Sequence, residues 1–419
     1  MHRRVALALA LLVVAPATGR TQQPTGPDGP PQSAEPVTDP STVDVFDLLR
    51  TLRGKEPNPE PAEGDQRRLM VAFAPVIGAK PSSGALFGAG GNVAFYRGDP
   101  STTRISSAVT SLTFSTKGQT ALTDRFTMFG RDDRWRLEGD QRFQWTSLET
   151  YALGTSADTS AGVEADFDFF RLHHTAYFQL VPGLFAGAGL YFDTHTQVGP
   201  EEGAEAGWAT SPYVMYSETH GLPLETQRSA GASIDLLWDG RDNFINATQG
   251  WFAKVSYRGF FDGFLGGSSN WQRAHLDVRT YRKLSRDGRH LLAFWTFAEL
   301  VLGGVAPYLD LPATGLDTYG RSARGYSEGQ FRGERLAYGE VEYRGGLTRN
   351  GLLGMVAFLN TTSATSLGDD EHLFDSFATG GGAGLRLLIN KRSKTNLCFD
   401  VGFGKQGSKG IYVGVQEAF

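Results

Sequence analysis

The sequence predicts an all-β protein: a transmembrane antiparallel β-barrel of about sixteen strands, preceded by a short N-terminal helix and a disordered linker. Three observations predict it. Apolar and polar residues alternate with a period of two, the alternating stretches run for about 10–14 residues, and short polar turns alternate with longer connections. A water-soluble sandwich shows the same alternation, so strand length and turn pattern decide between the two.

The composition excludes several classes of protein. The 419 residues include 40 Lys and Arg against 45 Asp and Glu, a formal net charge of −5, which argues against a nucleic-acid partner. The single cysteine, Cys398, allows no internal disulfide and no multi-cysteine metal cluster. We expect no metal and no cofactor.

The N-terminus has the pattern of a secretory signal peptide. A basic start, MHRR, precedes an apolar run from Val5 to Ala15, and Ala15 and Ala17 form a small-residue cleavage site. This run is shorter than the about 20 residues that a membrane-spanning helix needs, so a membrane anchor is the weaker interpretation. We predict a signal peptide over 1–17 and an exported mature protein.

Residues 18–67 are predicted to be a Pro-rich linker that carries one amphipathic helix near 43–53. The linker is too poor in apolar residues to fold alone. Ser41 is the expected N-cap of the helix, and Gly54 ends it. Its apolar face comprises Val45, Leu48, Leu49 and Leu52. Two positions stay open, a plug in the lumen or the periplasmic membrane surface, and the mixed charge of the polar face suits the lumen better.

The barrel is predicted over 68–419. In 134–145, for example, polar and charged residues alternate with the residues of a more apolar face. Trp135 and Trp145 stand at the two ends of that face, where the aromatic girdle of a membrane barrel meets the membrane interface. An even strand number places both barrel termini in the periplasm, on one side of a bacterial outer membrane. The predicted strands are 69–77, 85–97, 104–116, 118–129, 133–146, 164–180, 183–196, 226–239, 249–261, 269–284, 289–302, 335–346, 351–362, 376–391, 394–405 and 409–419.

The chain ends in Phe419, on a last strand whose apolar face also carries Ile411, Val413 and Val415. Glu417 interrupts that face. A terminal aromatic strand is the type of signal that the outer-membrane assembly machinery reads, and a surface strand that happens to end in Phe is the alternative. We predict Phe419 to be a C-terminal assembly signal.

Two motifs resemble the BamA/TamA superfamily of outer-membrane insertases and translocases, also called the bacterial surface antigen family. Arg324-Gly325-Tyr326, in the long connection 303–334, is similar to the RGF/RGY motif of that family's sixth extracellular loop. A second stretch is similar to its D-x-R-D-N…G turn between strands eight and nine, although Ala247-Thr248 replaces the usual proline. The matching residues of this turn are Asp239, Arg241, Asp242, Asn243 and Gly250.

The resemblance, which covers roughly 68–419, implies that the loop folds into the barrel and that Arg324 pairs with inner-wall acids. The candidate partners are Glu340, Glu342 and Asp400, and Asn360 stands where relatives often have an aspartate. The resemblance also implies a lateral seam between the first and last strands that inserts or translocates a protein or lipid client. The short segment before the barrel leaves no room for the family's POTRA domains, so the chain resembles a barrel-only branch.

A passive or gated pore for small solutes, including anions, is the alternative function, because arginines line the predicted lumen. These are Arg134, Arg136, Arg142, Arg273 and Arg279. An enzyme is not expected, and no catalytic residue is predicted. The G-x-S-x-G pattern at 325–329 lacks the strand before and the helix after that a nucleophile elbow requires. The expected partners are outer-membrane lipid, a protein or lipid client and the assembly machinery.

Overall fold

Period-two alternation produces sixteen antiparallel strands that close into one barrel, each strand pairing with the next in sequence. The computed structural model describes residues 41–56, 69–80, 84–158, 162–366 and 371–419, with backbone alone at 79 and 80. The strands are β1 Met70–Lys80, β2 Gly84–Phe95, β3 Ser106–Ser115, β4 Thr120–Phe129, β5 Trp135–Thr150, β6 Val163–Val181, β7 Leu184–Pro200, β8 Thr226–Asp239, β9 Gly250–Phe260, β10 Trp271–Lys283, β11 His290–Gly304, β12 Arg335–Gly346, β13 Leu353–Ala364, β14 Ala378–Asn390, β15 Thr395–Phe403 and β16 Lys409–Val415.

The predicted barrel and its strand number are confirmed, and all sixteen predicted strands occur. The two faces follow the alternation: on β8, Ile234 and Leu236 point outward and are 67% and 50% exposed, whereas Ser233 and Asp235 are buried toward the lumen. Trp135, Trp145, Trp251 and Tyr257 also lie outward. A wall that is apolar outside and polar inside is the arrangement of a barrel in a membrane.

We call the end where β1 begins and β16 ends the terminal end, and the opposite end the loop end. At the loop end, the connection from β7 to β8 forms α2 (Glu205–Trp208) and α3 (Pro212–Thr219). The Ser211 side chain caps α3 by accepting a hydrogen bond from the Val214 N–H at 3.2 Å. In the part of the chain that the structure describes, no helix has the length and apolar character needed to cross a membrane.

The N-terminal helix is α1, Val45–Leu52, and it begins later than expected. Its N-cap is Asp44, not Ser41, because Asp44 and Asp47 form a reciprocal capping box. The predicted signal peptide 1–17 and most of the linker lie outside the described residues.

α1 lies against the rim at the terminal end. The Val43 N–H donates to the Asn350 carbonyl at 3.0 Å, and the Lys391 ammonium lies 2.7 Å from an oxygen of buried Asp47. The opposite, apolar face is exposed, with Leu52 at 74%. Asn350 belongs to the β12–β13 turn and Lys391 to the β14–β15 turn. Since α1 binds these two turns through its acidic face, the structure does not support the plug position.

Candidate functional site

The guanidinium of Arg324 is fully buried in the lumen, where it contacts all three candidate acids. Nη1 donates to Asp400 of β15 at 2.7 Å, and Nη2 donates to both Glu340 and Glu342 of β12 at 2.5 Å. Its carbon lies 3.7 Å from the ring centroid of Phe358. The sequence left open which acid pairs with Arg324, and in the structure all three candidates pair with it. Burial lowers the pKa of Arg324, but the three carboxylates outweigh it and raise the pKa well above its ordinary value.

The acids around Arg324 belong to a larger network of ion pairs. Arg386 donates to Asp400 at 2.5 Å and to Glu417 at 2.7 Å, and Arg344 donates to Glu342 at 2.7 Å. Sequence reasoning missed these two arginines. The signal was present, because Arg344 follows Glu340 and Glu342 at every second residue of β12 and so shares their face.

Gly325 and Tyr326 hold the loop in place. Gly325 has φ of 112°, and a Cβ there would lie 2.7 Å from the Phe403 backbone, so glycine is required. Its N–H donates to the Tyr412 hydroxyl at 2.9 Å. The Tyr326 hydroxyl donates to the Thr379 carbonyl at 2.5 Å. The loop motif is thus bound to β14, β15 and β16 at once.

Asn360 lies beside the same motif, but it does not bind the guanidinium. Its side-chain amide donates to the Arg324 carbonyl at 3.1 Å. Arg324 does not need an aspartate at position 360, because Asp400 supplies the third carboxylate beside Glu340 and Glu342.

The turn between β8 and β9 is built around buried Asp239. Arg241 donates to both of its carboxylate oxygens at 2.8 Å, and Arg136 of β5 donates to it at 2.7 Å. Asp242 accepts from the Thr248 N–H at 2.9 Å, which stabilises the turn without the usual proline. Gly250 has φ of 105°.

The remaining motif residue, Asn243, folds the turn inward. Its side-chain oxygen accepts from the Ile245 N–H at 2.8 Å. Phe244 and Ile245 then pack with Met70 and Ile105, beneath the lumen at the terminal end. The turn closes this end of the barrel.

Phe419 contradicts the expectation of an outward apolar strand end. β16 stops at Val415, and Gln416 has φ of 76°, which turns the last residues inward. Phe419 is buried, 5.3 Å from the Trp295 ring, and its carbonyl accepts from Arg344 at 3.0 Å. Glu417 interrupts the apolar pattern because it is the buried partner of Arg386.

The seam between β1 and β16 has little pairing. Among the described residues a single position joins them, Ala79 with Ile411, whereas β15 and β16 share seven. Nearer the terminal end, Ala72 and Ala74 pack on Leu397 and Val415.

This packing shows how the two ends of the sheet pass each other. Leu397 alternates with buried Cys398, so Leu397 belongs to the outer face of β15. β1 therefore overlaps the outside of the last strands. The end of β16 passes inward, where the Gln416 amide donates to Ser107 of β3 at 3.0 Å.

Within the described ranges, three segments enter the lumen: the connection 305–334, the β8–β9 turn and the end of β16. Together with the inner wall, these inserted segments line a cavity of about 220 Å³. Four of the five predicted lumen arginines lie on the inner wall, each with a carboxylate partner: Arg136, Arg142, Arg273 and Arg279. Arg134 is instead exposed at a turn. Most of the positive charge that suggested anion selectivity is therefore balanced by acids.

No protein-family model matches the sequence, and no curated protein is similar to it. Solved structures are similar in fold. BamA from Haemophilus ducreyi lacking POTRA domains 1–3 aligns with a TM-score of 0.52 and 13% identity, covering 83% of this chain and 69% of that one. CdiB from Acinetobacter baumannii aligns with a TM-score of 0.51 and 11% identity over 84% of this chain. CdiB from Escherichia coli aligns with a TM-score of 0.52 and 11% identity over 83% of this chain.

These identities establish a likeness of fold. The chain spans 60% and 62% of the lengths of the two CdiB chains. The resemblance seen in the sequence motifs is confirmed at the level of the barrel. This protein is a sixteen-stranded β-barrel with the fold of the BamA and CdiB barrels.

Proposed function

We propose that this barrel takes part in inserting or translocating proteins or lipids at the outer membrane, through the seam between β1 and β16. The observation that carries the proposal is the single paired position, Ala79 with Ile411, among the described residues of that seam. Each ladder hydrogen bond contributes about 0.5–1.5 kcal/mol net, so among the described residues this junction gains less from ladder pairing than the β15–β16 junction, which has seven paired positions.

An edge that opens this easily can pair with another strand. The backbone groups of β1 that do not bind β16 are donors and acceptors for a client strand. Pro75 has no N–H, and a proline is tolerated in a strand where no ladder bond is required of it. Phe73 and Ile77 on the outer face of β1 are 74% and 63% exposed, which supports a position of the open edge against lipid.

The Arg324 network supports the proposal by fixing the other side of the seam. It ties β12, β14 and β15 to the loop, and Tyr412 of β16 donates to the Tyr326 carbonyl at 3.3 Å. The β16 side is therefore held by several contacts, and we expect β1 to be the side of the seam that moves.

We place the barrel in a bacterial outer membrane with both termini in the periplasm. The even strand number supports a common side for both termini. We also place α1 on the periplasmic membrane surface beside the barrel, since its apolar face is exposed and its acidic face binds the rim. Outer-membrane lipid, a protein or lipid client and the assembly machinery are the proposed partners.

A disulfide across the seam tests the proposal. Ala79→Cys and Ile411→Cys are introduced into a Cys398→Ala background, since opposed antiparallel residues suit a disulfide. The matched control joins Phe87→Cys to Phe114→Cys across the ordinary β2–β3 junction. Outer-membrane protein and lipid content is compared in cells that lack the gene and cells that carry each variant.

The oxidised seam variant should fail to restore the envelope components that the wild type restores, and the control disulfide should not impair rescue. Reduction should restore the function of the seam variant. Normal rescue by the fully oxidised seam variant refutes a lateral mechanism.

A gated pore remains the second candidate, because the charged cavity between the inserted segments offers a polar path once they move. Solute uptake that changes while envelope composition stays constant would favour it.

A further inference from the structure

Two buried arginines lie side by side on the lumen wall. Arg258 of β9 and Arg273 of β10 are directly opposed in the antiparallel ladder, and both residues are 8% exposed. Directly opposed side chains have Cβ atoms about 5 Å apart, so two like charges there repel. A buried arginine is usually neutralised by a carboxylate, as Arg279 is: its Nε and Nη2 both donate to Asp277, at 3.0 and 2.5 Å.

The Arg258 guanidinium has donors to spare. Its Nε donates to the Ser256 hydroxyl at 3.3 Å, and its carbon lies 4.3 Å from the Tyr191 ring centroid. Among the ion pairs of the described residues, none includes Arg258. A guanidinium has five N–H donors, so most of those on Arg258 face the cavity without a protein acceptor.

Arg273 is only partly neutralised. Its Nη1 lies 3.5 Å from Glu299, and its buried Nε has no acceptor among the described residues. Glu299 is also hydrogen-bonded to His275 at 2.9 Å. Asp235 and Asp193 also lie close enough to act on the pair electrostatically, but among the described residues neither carboxylate is hydrogen-bonded or ion-paired to Arg258 or Arg273.

Both arginines line the lumen cavity of about 220 Å³. A single water needs about 10–15 Å³ on this scale, so a tetrahedral anion and several waters fit. Guanidinium groups match the geometry of oxyanions, with two parallel N–H donors for two oxygens.

We propose that the Arg258–Arg273 pair binds a small oxyanion of the phosphate or sulfate class inside the lumen. The anion accepts the free hydrogen bonds of both guanidinium groups and removes their mutual repulsion. The two arginines lie on β9 and β10, on the opposite side of the barrel from β1 and β16.

Calorimetric titration of the purified full-length barrel in neutral detergent tests the site. Inorganic phosphate is the probe, with sulfate in a second series, and chloride keeps the ionic strength constant. Saturable binding is expected for the wild type. Arg258→Gln should weaken it at least about tenfold, the effect of losing one charge-assisted hydrogen bond. Arg279→Gln is the matched control, since Arg279 lines the same cavity but is held by Asp277, and it should retain binding.

A thermal measurement separates a lost site from a lost fold. In chloride, Arg258→Gln should unfold no earlier than the wild type, because it removes a like-charged pair. Phosphate should then raise the unfolding temperature of the wild type alone. If Arg258→Gln does not fold, Arg273→Gln should show the same loss of binding. Absence of saturable binding by both probes overturns the proposal, as does equal binding by the wild type and the folded Arg258→Gln variant.

Discussion

Replacing Arg324 with alanine should strongly destabilise the barrel, and the structure indicates which carboxylate causes the loss. Glu342 keeps Arg344 at 2.7 Å, and Asp400 keeps Arg386 at 2.5 Å. Among the described residues, Glu340 keeps a single hydrogen bond, from the Tyr338 hydroxyl at 2.5 Å. Removing one partner of a buried ion pair costs about 3–5 kcal/mol, and here that cost falls mainly on Glu340.

Unfolding in denaturant, followed by tryptophan fluorescence and by the mobility of unheated protein on gels, measures the effect. Arg324→Ala should lower the free energy of unfolding by about 3–5 kcal/mol. Adding Glu340→Gln should recover about 1–3 kcal/mol, because the buried charge is then gone. Arg324→Lys should lie between wild type and Arg324→Ala, since an ammonium keeps the charge but loses the planar fork.

Two results would refute this reasoning. One is Arg324→Ala within about 0.5 kcal/mol of the wild type, which is the range for an ordinary surface substitution. The other is a double variant no more stable than Arg324→Ala, which would mean that Glu340 is not the stranded charge.

Three further predictions concern the loop and α1. Gly325→Ala should free the loop, because a Cβ would meet the Phe403 backbone at 2.7 Å; limited proteolysis should then cleave near 324, and an uncleaved variant contradicts this. Burial beside Asp193 raises the pKa of Asp310, so the folded state binds this proton more tightly and loses stability as pH rises above the ordinary aspartate value of about 4. Asp310→Asn should therefore be more stable than the wild type at pH 8, with the difference shrinking toward pH 4 in unfolding titrations; a pH-independent difference argues against it. A bimane label on Leu49→Cys of α1, in a Cys398→Ala background, should be quenched by brominated lipid rather than by aqueous iodide, and the reverse result excludes a membrane position for the helix.

The strands and their faces follow from local sequence. Predicted strands 226–239 and 335–346 match β8 and β12 to the residue, because side chains of a strand alternate between lipid and lumen and the sequence must alternate with them. The same local pattern placed the RGY loop between β11 and β12. The two motifs were recognised by their resemblance to a family, which is possible because the residues of each motif lie close together in the sequence.

Contacts between distant segments were decided only by tertiary structure. Arg324 and Asp400 are 76 residues apart, and only closure of the barrel brings one loop guanidinium against acids of both β12 and β15. Phe419 shows the same limit. Its apolar ring is compatible with lipid outside or with Trp295 inside, and the chain reversal at Gln416 and the carbonyl bond to Arg344 choose the inside. Alternation therefore determined the wall of this protein, whereas the seam, the buried ion network and the position of α1 depend on which distant surfaces meet when the wall closes.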